Sequence, residues 1–417
     1  MSSTEATIHA FLAAERAHAE RFLAELVRTP SDNPPGECRP HAERAAGLLE
    51  ELGFTVERHP VAEARVRAAG MVGVTNLIVR RRFGPGPVVA LNAHGDVVPP
   101  GEGWTEDPYG AAVVDGWMYG RGVAVSKSDF ATYAWALRAL EAAERAGARI
   151  GGTVELHFTY DEETGGELGP RLLLEEGISA PDLAIGAGFS YAVIVAHNGC
   201  LHLEVEVTGR SAHAARPETG IDALEAANAI LSALYGWRGG LAGRVSAVPG
   251  IGAAQMTIGR IEGGINTNVV PDRVRLRLDR RMIPEENPEA AEAELRALIG
   301  EAARAHPAAR VEVRRILLAA PLTPLPGAER LSRPLCRAAS RILGETVTTA
   351  GVPLYTDARH YAARGIPVVL YGAGPRSIEE ANAHRADERL PLADLARATE
   401  VVALALLEVL GGHATSR

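Results

Sequence analysis

The arrangement of strand and helix patterns changes twice along the chain, and this change limits the folds available to it. Before about residue 200, apolar strands such as PVVALNAH (87–94) and TVELHFTY (153–160) alternate with amphipathic helices. Strands and helices in alternation favour an α/β sheet with helices on its faces. The same pattern returns after about residue 315, where PVVLYGAG (367–374) is another buried strand.

The intervening residues follow a different pattern. CLHLEVEVTG (200–209) and RVRLRLDRRMI (273–283) alternate apolar and polar side chains, as half-exposed antiparallel strands do. With two helices and two more strands, the order is strand–helix–strand–strand–helix–strand, which is typical of a ferredoxin-like α+β fold. We therefore predict a discontinuous α/β domain with a mixed sheet and flanking helices, residues 1–199 and 315–417, and an inserted α+β domain, residues 200–314.

Length, charge and cysteine content narrow the class of protein. A chain of 417 residues favours two domains, and a formal charge of −9 without Lys/Arg blocks argues against a nucleic-acid partner. The three cysteines (Cys38, Cys200 and Cys336) form no CxxC pair and suit a reducing compartment. The N-terminal segment lacks the apolar core of a signal peptide, and the longest apolar run is too short to span a bilayer. These features predict a cytoplasmic protein without a membrane partner.

Polar clusters follow three of the apolar strands. His94 and Asp96 follow the first strand, Glu162 and Glu163 follow the second, and His384 comes after the third. Ligands of open α/β sheets bind in the crevice at the carboxyl ends of the strands, so these side chains are expected to converge. Each cluster alone is typical of a cap, a turn or a solvated loop. Together, two histidines and several carboxylates favour a divalent metal such as zinc.

Five longer motifs occur in a fixed order and cover nearly the whole chain. They are HGDVVPPGEGWTEDPYGAAVVDGWMYGRG (94–122), DEETGG (161–166), GRSAHAARPETGIDAL (209–224), GGINTNVVP (263–271) and AHRADE (383–388). This set resembles the metallo-aminoacylase and carboxypeptidase family, which includes succinyl-diaminopimelate desuccinylase, acetylornithine deacetylase and glutamate carboxypeptidase. The resemblance implies a hydrolase with a small-molecule substrate. It also implies that the inserted domain is a lid and dimerisation domain, and hence that the protein is a homodimer.

The resemblance also implies roles for individual residues of the α/β domain. In the family, two zinc ions are held by five side chains and a glutamate is the general base. Carried over position by position, His94, Glu163 and His384 match metal ligands. Asp96 matches the aspartate that orients the first histidine, a role with a clear physical basis. Glu162 matches the general base.

Three residues of the inserted domain match family positions that act on the substrate. His213 matches the histidine that reaches a partner subunit's active site and stabilises the tetrahedral oxyanion. Asn268 and Arg281 match positions that contact the substrate, and an arginine suits a substrate carboxylate.

Two ligand positions of the family are not filled. The family reads Gly-Arg-Gly-x-x-Asp-Met-Lys-Gly, and alignment on GRG and Lys127 puts Val125 at the aspartate that bridges both metals. The carboxylate expected after PDLAI is replaced by Ala187. A catalytic zinc normally has three protein ligands, so we expect at most one metal. Asp129, one helical turn after Val125, is either a compensating ligand or a carboxylate favoured by the helix dipole.

Three functions remain open from the sequence. The first is an amidohydrolase or peptidase-like enzyme for a small N-acyl or carboxylate-bearing substrate, with one zinc or other divalent ion. The second is an enzyme that needs no metal and uses Glu162 and His213 for cyclisation, elimination or isomerisation. Repulsion between Glu162 and Glu163 would raise the pKa of one of them and suit it to proton transfer. The third is a non-catalytic binding protein, which the presence of the catalytic residue types disfavours.

Overall fold

The computed structural model describes residues 2–411 and divides the chain into two compact units. The segments of the first unit are Met1–Val195, Pro324–Ala350 and Thr356–Arg417. The segments of the second unit are Ala196–Thr323 and Gly351–Tyr355. The domain boundaries given in the sequence analysis (residues 1–199, 200–314 and 315–417) remain predictions.

The strands and helices follow one another in the α/β and α+β patterns expected from the sequence. The strands are β1 (Val56–Pro60), β2 (Thr75–Arg82), β3 (Val88–His94), β4 (Ala112–Val114), β5 (Trp117–Tyr119), β6 (Thr153–Thr159), β7 (Leu183–Gly186), β8 (Val193–His197), β9 (Gly199–Thr208), β10 (Gln255–Gly263), β11 (Arg273–Met282), β12 (Arg310–Ala319), β13 (Thr349–Val352), β14 (Val368–Leu370) and β15 (Arg389–Pro391). The helices are α1 (Ser3–Arg28), α2 (Arg39–Glu51), α3 (Glu63–Ala68), α4 (Lys127–Arg145), α5 (Pro170–Glu175), α6 (Ala223–Arg238), α7 (Pro288–Ala303), α8 (Glu329–Leu343), α9 (Ala358–Ala363), α10 (Ile378–Ala381) and α11 (Leu392–Gly411).

The first unit is built on an eight-stranded mixed sheet in the order β1-β2-β6-β3-β7-β14-β8-β13. Its centre is parallel, because β3 pairs in parallel with β6 and β7, and β14 pairs in parallel with β7. Antiparallel pairing of β2 with β6 and β1 extends one side. The predicted mixed sheet is therefore confirmed. The parallel strands end at one edge, where His94 lies opposite Thr159 in the register.

The longest stretch of buried helix that covers the sheet is α4. Helix α4 is buried along most of its length, and it packs against α1 and α11. Its Phe130 ring stacks on Phe158 of β6 at 3.9 Å between centroids, and its Trp135 meets Phe22 of α1 edge to face. Aromatic contacts of this kind add to the free energy gained by apolar burial. They place the N-terminus of α4 beside the ends of the central strands.

The second unit contains a four-stranded antiparallel sheet in the order β10-β11-β9-β12. Alternate residues of β9, from Leu201 to Val207, are fully buried in a core shared with helix α6 and helix α7. The other residues of this strand, from Cys200 to Glu206, lie on the opposite face. The strand and helix order is the one predicted for the inserted domain.

No helix within residues 2–411 combines the length and the apolar character that a membrane span requires.

Candidate active site

Three side chains meet at the carboxyl edge of the parallel strands. His94 is the last residue of β3, and Glu162 and Glu163 lie in the short helical turn that follows β6. One ligand-type atom from each of the three lies within 4.8 Å of the other two. His94 Nε2 is 3.9 Å from Glu162 Oε2, and the carboxylate of Glu163 is largely buried. The topology of the parallel sheet therefore brings these residues together, as the sequence suggested.

Asp96 connects the histidine to the glutamate turn. Its carboxylate lies 3.4 Å from His94 Nδ1 and accepts hydrogen bonds of 3.2 Å from the backbone N–H groups of Glu162 and Glu163. Asn33 donates a further bond of 3.0 Å to the same carboxylate. The Asp96 carbonyl oxygen is 2.9 Å from His94 Nδ1, so in the neutral imidazole the proton lies on Nδ1 and Nε2 carries the free electron pair toward the glutamates.

The charges of this cluster change the pKa values of its members. Burial would lower the pKa of His94, but the hydrogen bond that the ring donates to the Asp96 carboxylate, and the charges of Glu162, Asp96 and Glu163, outweigh it and raise that pKa well above its ordinary value. Burial is the main cause that raises the pKa of Glu162, and the negative charge of Glu163 adds to it. Like-charge repulsion, which the sequence suggested as the cause, is thus the smaller effect.

His384 also reaches this edge, from the segment between α10 and β15. Its Nε2 lies 3.2 Å from Glu163 Oε1, an ion-pair contact that raises the pKa of the imidazole. The residue has a left-handed backbone (φ 61°), as does Asn382 shortly before it (φ 49°), and its side chain is half exposed. His384 is outside the set of three whose ligand atoms all lie within 4.8 Å of one another.

Aliphatic side chains packed against the core occupy the two positions that lack a carboxylate. The side chains of Val125 and Ala187 are partly buried against the main hydrophobic core. The Val125 N–H donates a 3.2 Å bond to Glu388, and the Ala187 N–H donates a 2.8 Å bond to the Asn92 carbonyl. Neither side chain offers a donor to a cation.

Both oxygens of the Asp129 carboxylate accept hydrogen bonds from the backbone. It is buried in the first turn of α4, where Oδ2 accepts 3.1 Å from the Gly188 N–H and Oδ1 accepts 2.7 Å from the Ala373 N–H. A Cβ atom at Gly372 would collide with both carboxylate oxygens, which explains a glycine there. Burial raises the pKa of Asp129 to about 7, against the effect of the two N–H donors.

A buried ion pair beneath the site was not predicted from the sequence. Arg121 and Glu388 are each about 1 % exposed and approach to 2.6 Å. Glu388 also accepts bonds from the N–H groups of Ala124 and Val125. The nearby Lys127 donates to the carbonyl oxygens of Leu26 and Thr29, and its burial lowers its pKa to about 7. The only signal in the sequence was that both residues of the pair lie inside motifs.

The substrate-contacting residues predicted for the inserted domain all lie in the second unit. His213 is exposed, and its Nδ1 accepts a 3.0 Å bond from the Ala215 N–H. The segments of His213 and Asn268 are neighbours, because the Ala214 N–H donates to the Asn268 carbonyl at 3.0 Å. Arg281 forms a two-pronged ion pair with Asp279 of the same strand.

Residues 90–408 match the sequence family described as peptidase family M20/M25/M40. The chain belongs to this family. Its membership confirms the resemblance drawn from the motifs and the assignment to a family of hydrolases. Enzymes of the M20 family are typically metal dependent, so a divalent metal is consistent with membership at this general level.

Individual M20 relatives agree with this placement. The chain is 30 % identical over 381 residues to acetylornithine deacetylase of Proteus mirabilis strain HI4320, covering 88 % of this chain and 91 % of the relative. Human carnosine dipeptidase 1 shares the fold with a TM-score of 0.76 at 17 % identity, covering 98 % and 99 % of the two chains. The YXEP protein of Bacillus subtilis, a dinuclear metal binding peptidase from the M20 family, has a TM-score of 0.66 at 20 % identity, covering 95 % and 99 %.

Proposed function

We propose that this M20 protein hydrolyses an amide bond in a small N-acyl or carboxylate-bearing substrate and uses at most one divalent metal ion. The observation that carries the proposal is the convergence of His94, Glu162 and Glu163 at the carboxyl edge of the sheet, with Asp96 bonded to all three. Acid–base and metal-ligating groups held together in a buried crevice are typical of a hydrolytic site.

The donors that are present fit one ion better than two. A two-metal site needs a bridging carboxylate, and the side chains at that position and at the other substituted position are aliphatic and packed against the core. One zinc ion would be held by His94 and Glu163, with His384 as the third ligand beside Glu163. When bound, the ion supplies polarisation of the substrate carbonyl.

Glu162 is the residue suited to move the proton. Burial raises its pKa, so this carboxyl group can accept a proton from water and return it to the leaving amine near neutral pH. Asp96 fixes the backbone of Glu162, and Arg359 and His360 both contact the carbonyl oxygen of Gly165 in the same turn. The turn is therefore held at both ends, which limits movement of the base.

The substrate class follows from the family and from the second unit. The acetylornithine deacetylase relative is named for an N-acyl amino acid, and Arg281 and Asn268 would bind a substrate carboxylate. His213 would stabilise the oxyanion, reaching the site of a partner subunit in a homodimer formed through the inserted domain. Its exposed position in the second unit is consistent with this role.

A second candidate is an acid–base enzyme that needs no metal. The loss of donors at Val125 and Ala187 favours it, and so does the engagement of both Asp129 oxygens with backbone N–H groups. In this case Glu162 and His213 would carry out proton transfer in a cyclisation, elimination or isomerisation.

Metal content and activity separate the two candidates. Protein purified without chelator is analysed for metals and assayed for amine release from N-acetyl and N-succinyl amino acids and dipeptides. We expect activity that a chelator removes and zinc restores. Full activity in metal-free protein would contradict the metal-assisted hydrolase, and metal-free protein that releases no amine from any of these substrates would favour the second candidate. Glu162→Gln should abolish activity in both cases, whereas the exposed Glu102→Gln is a matched control that should not.

A further inference from the structure

Three further side chains converge on the polar face of the second unit's sheet, beside Arg281. Cys200 and His202 lie two residues apart on β9 and share a face, and Asp279 of β11 is directly opposite His202 in the register. Cys200 Sγ is 3.2 Å from His202 Nε2, which in turn is 3.1 Å from Asp279 Oδ2. Cys200 Sγ is also 3.8 Å from Asp279 Oδ1.

This geometry differs from that of a nucleophilic triad. In such a triad one imidazole nitrogen faces the nucleophile and the other faces the acid, so that the base is both activated and oriented. Here the same nitrogen, Nε2 of His202, is the contact for both Cys200 and Asp279. One ligand-type atom from each of Cys200, His202 and Asp279 lies within 4.8 Å of the other two, which is close enough for all three to bind the same ion.

The separations between the donor groups are near those of a first-row metal site. Zinc bonds of about 2.3 Å to sulfur and about 2.1 Å to nitrogen or oxygen place tetrahedral donors roughly 3.3–3.6 Å apart. The distances of 3.2 Å from Sγ to Nε2 and 3.1 Å from Nε2 to Oδ2 are slightly shorter than this range. The distance of 3.8 Å from Sγ to Oδ1, the other oxygen of the Asp279 carboxylate, is slightly longer. Small shifts of side chains, without movement of the backbone, would bring the three atoms to an ion.

Arg281 orients the carboxylate and balances its charge. It lies opposite Cys200 on the neighbouring strand, with Nε 2.9 Å from Asp279 Oδ1 and a terminal nitrogen 3.0 Å from Oδ2. Hydrogen bonds of this kind fix a ligating carboxylate and are common around metal sites. The side chains of His202 and Asp279 are about one-third exposed, so an ion can reach the cluster from solvent.

We propose that Cys200, His202 and Asp279 bind one divalent transition-metal ion such as zinc, with the fourth position open to water or another small ligand. On binding, the Cys200 S–H bond breaks, a sulfur–metal bond forms and the thiol proton passes to solvent. Because a proton is released, the apparent affinity should fall as the pH falls. The mixed sulfur, nitrogen and oxygen donors favour zinc or cobalt over magnesium or calcium.

Cobalt(II) added to the full-length protein is the probe. Bound thiolate gives a sulfur-to-cobalt charge-transfer absorption in the near ultraviolet, which nitrogen and oxygen donors do not give. We expect this absorption to reach a plateau as cobalt is added and to disappear when zinc is added. It should be lost in Cys200→Ser and weakened at least tenfold in affinity in His202→Gln, while Cys336→Ser, a matched control on α8, should retain it.

The test does not depend on the proposed active site, whose donors are nitrogen and oxygen. Glu163→Gln should therefore leave the cobalt–thiolate absorption unchanged. Absence of the absorption in the wild-type protein, or its persistence in Cys200→Ser, would overturn the proposal. Circular dichroism confirms that each variant is folded, and His202→Gln keeps the thiol and so tests the site even if Cys200→Ser is unstable.

Discussion

Asp129 accepts a 3.1 Å hydrogen bond from the backbone N–H of Gly188, the residue that follows Ala187. The second oxygen of the same carboxylate accepts from the Ala373 N–H, beyond the end of β14. A carboxylate from the first turn of α4 thus joins the ends of two neighbouring strands, beside one of the positions where the family resemblance leads one to expect a metal ligand. Asp129 stabilises the edge of the sheet from within.

Replacing Asp129 with Asn should destabilise the protein. Both oxygens of the Asp129 carboxyl group keep an acceptor lone pair even when the group is protonated near pH 4. An amide has only one acceptor oxygen, so its NH₂ group would face either the Gly188 or the Ala373 N–H and leave it without a bond. A buried N–H group without a hydrogen-bond acceptor lowers the free energy of unfolding by about 1–3 kcal/mol. Urea denaturation near pH 4 measures this cost, and equal stability of the two proteins would contradict the structural role.

The cost of Asp129→Asn should depend on pH in a defined direction. Burial raises the pKa of Asp129 in the folded protein to about 7, against 3.8 for an ordinary aspartate. The folded state therefore holds the proton more tightly than the unfolded state. The contribution of Asp129 to the free energy of unfolding consequently falls as the pH rises from 4 to 7. The stability difference between wild type and Asp129→Asn should be largest near pH 4 and shrink toward pH 7. A difference that grows over this range would contradict the raised pKa.

Arg121→Met should be among the most destabilising single changes in the chain. It leaves the buried Glu388 carboxylate without its cation, and loss of one partner of a buried pair costs about 3–5 kcal/mol. Burial already raises the pKa of Glu388, and the loss of Arg121 should raise it further, so the cost should decrease as the pH falls and Glu388 is protonated. Denaturation at two pH values measures both effects.

Arg67→Met is the matched control for this prediction. Arg67 pairs with Glu63 one turn away on α3, and both side chains are mostly exposed. Exposed pairs contribute less than about 1 kcal/mol. If the two arginine variants were equally stable, the buried pair would have no special role.

Restoring the two absent carboxylates should increase zinc affinity. Val125→Asp combined with Ala187→Glu returns donor oxygens to positions now occupied by aliphatic groups. A Cys200→Ser background removes the contribution of the cluster in the second unit. We expect at least tenfold tighter zinc binding by competition with a chromophoric chelator, and no gain for Val125→Asn with Ala187→Gln. Unchanged zinc binding would mean that these positions do not face the metal.

The pH profile of activity should reflect Glu162. A base with a raised pKa is active only after it loses its proton, so kcat/KM should rise with pH through a value above that of an ordinary glutamate. The charge of Arg359 lowers the pKa of Glu162, so Arg359→Gln, which keeps a hydrogen-bond donor, should move this limb to higher pH. Arg364→Gln, on a half-exposed arginine, is the control. An unshifted limb in Arg359→Gln would argue against Glu162 as the base.

Much of the fold and part of the site could be predicted from local patterns. The change from apolar strands to half-exposed strands marked the inserted segment, because burial on one or two faces determines which residues a strand can contain. His94, Glu162 and Glu163 were predicted to meet because parallel strands end at the same edge of a sheet. Each of these inferences depends on neighbours in the sequence and on one general rule of topology.

The remaining features depend on contacts that spacing does not encode. The partners Arg121 and Glu388 are 267 residues apart, and the Asp129 and Ala373 pair is separated by 244 residues. Arg121 precedes α4 and Glu388 precedes β15, whereas Asp129 is in the first turn of α4 and Ala373 follows β14. Only the folded chain brings these segments together.

The sequence by itself determined the family, the order of the two folds and the three strand-end side chains, because these depend on local burial patterns and motif order. Only the tertiary structure decided that the Asp129 carboxylate bonds to backbone N–H groups. It also decided that Cys200 and His202 meet Asp279, because the β9–β11 register places these side chains opposite one another. Register is a property of paired strands, and neither strand specifies it alone.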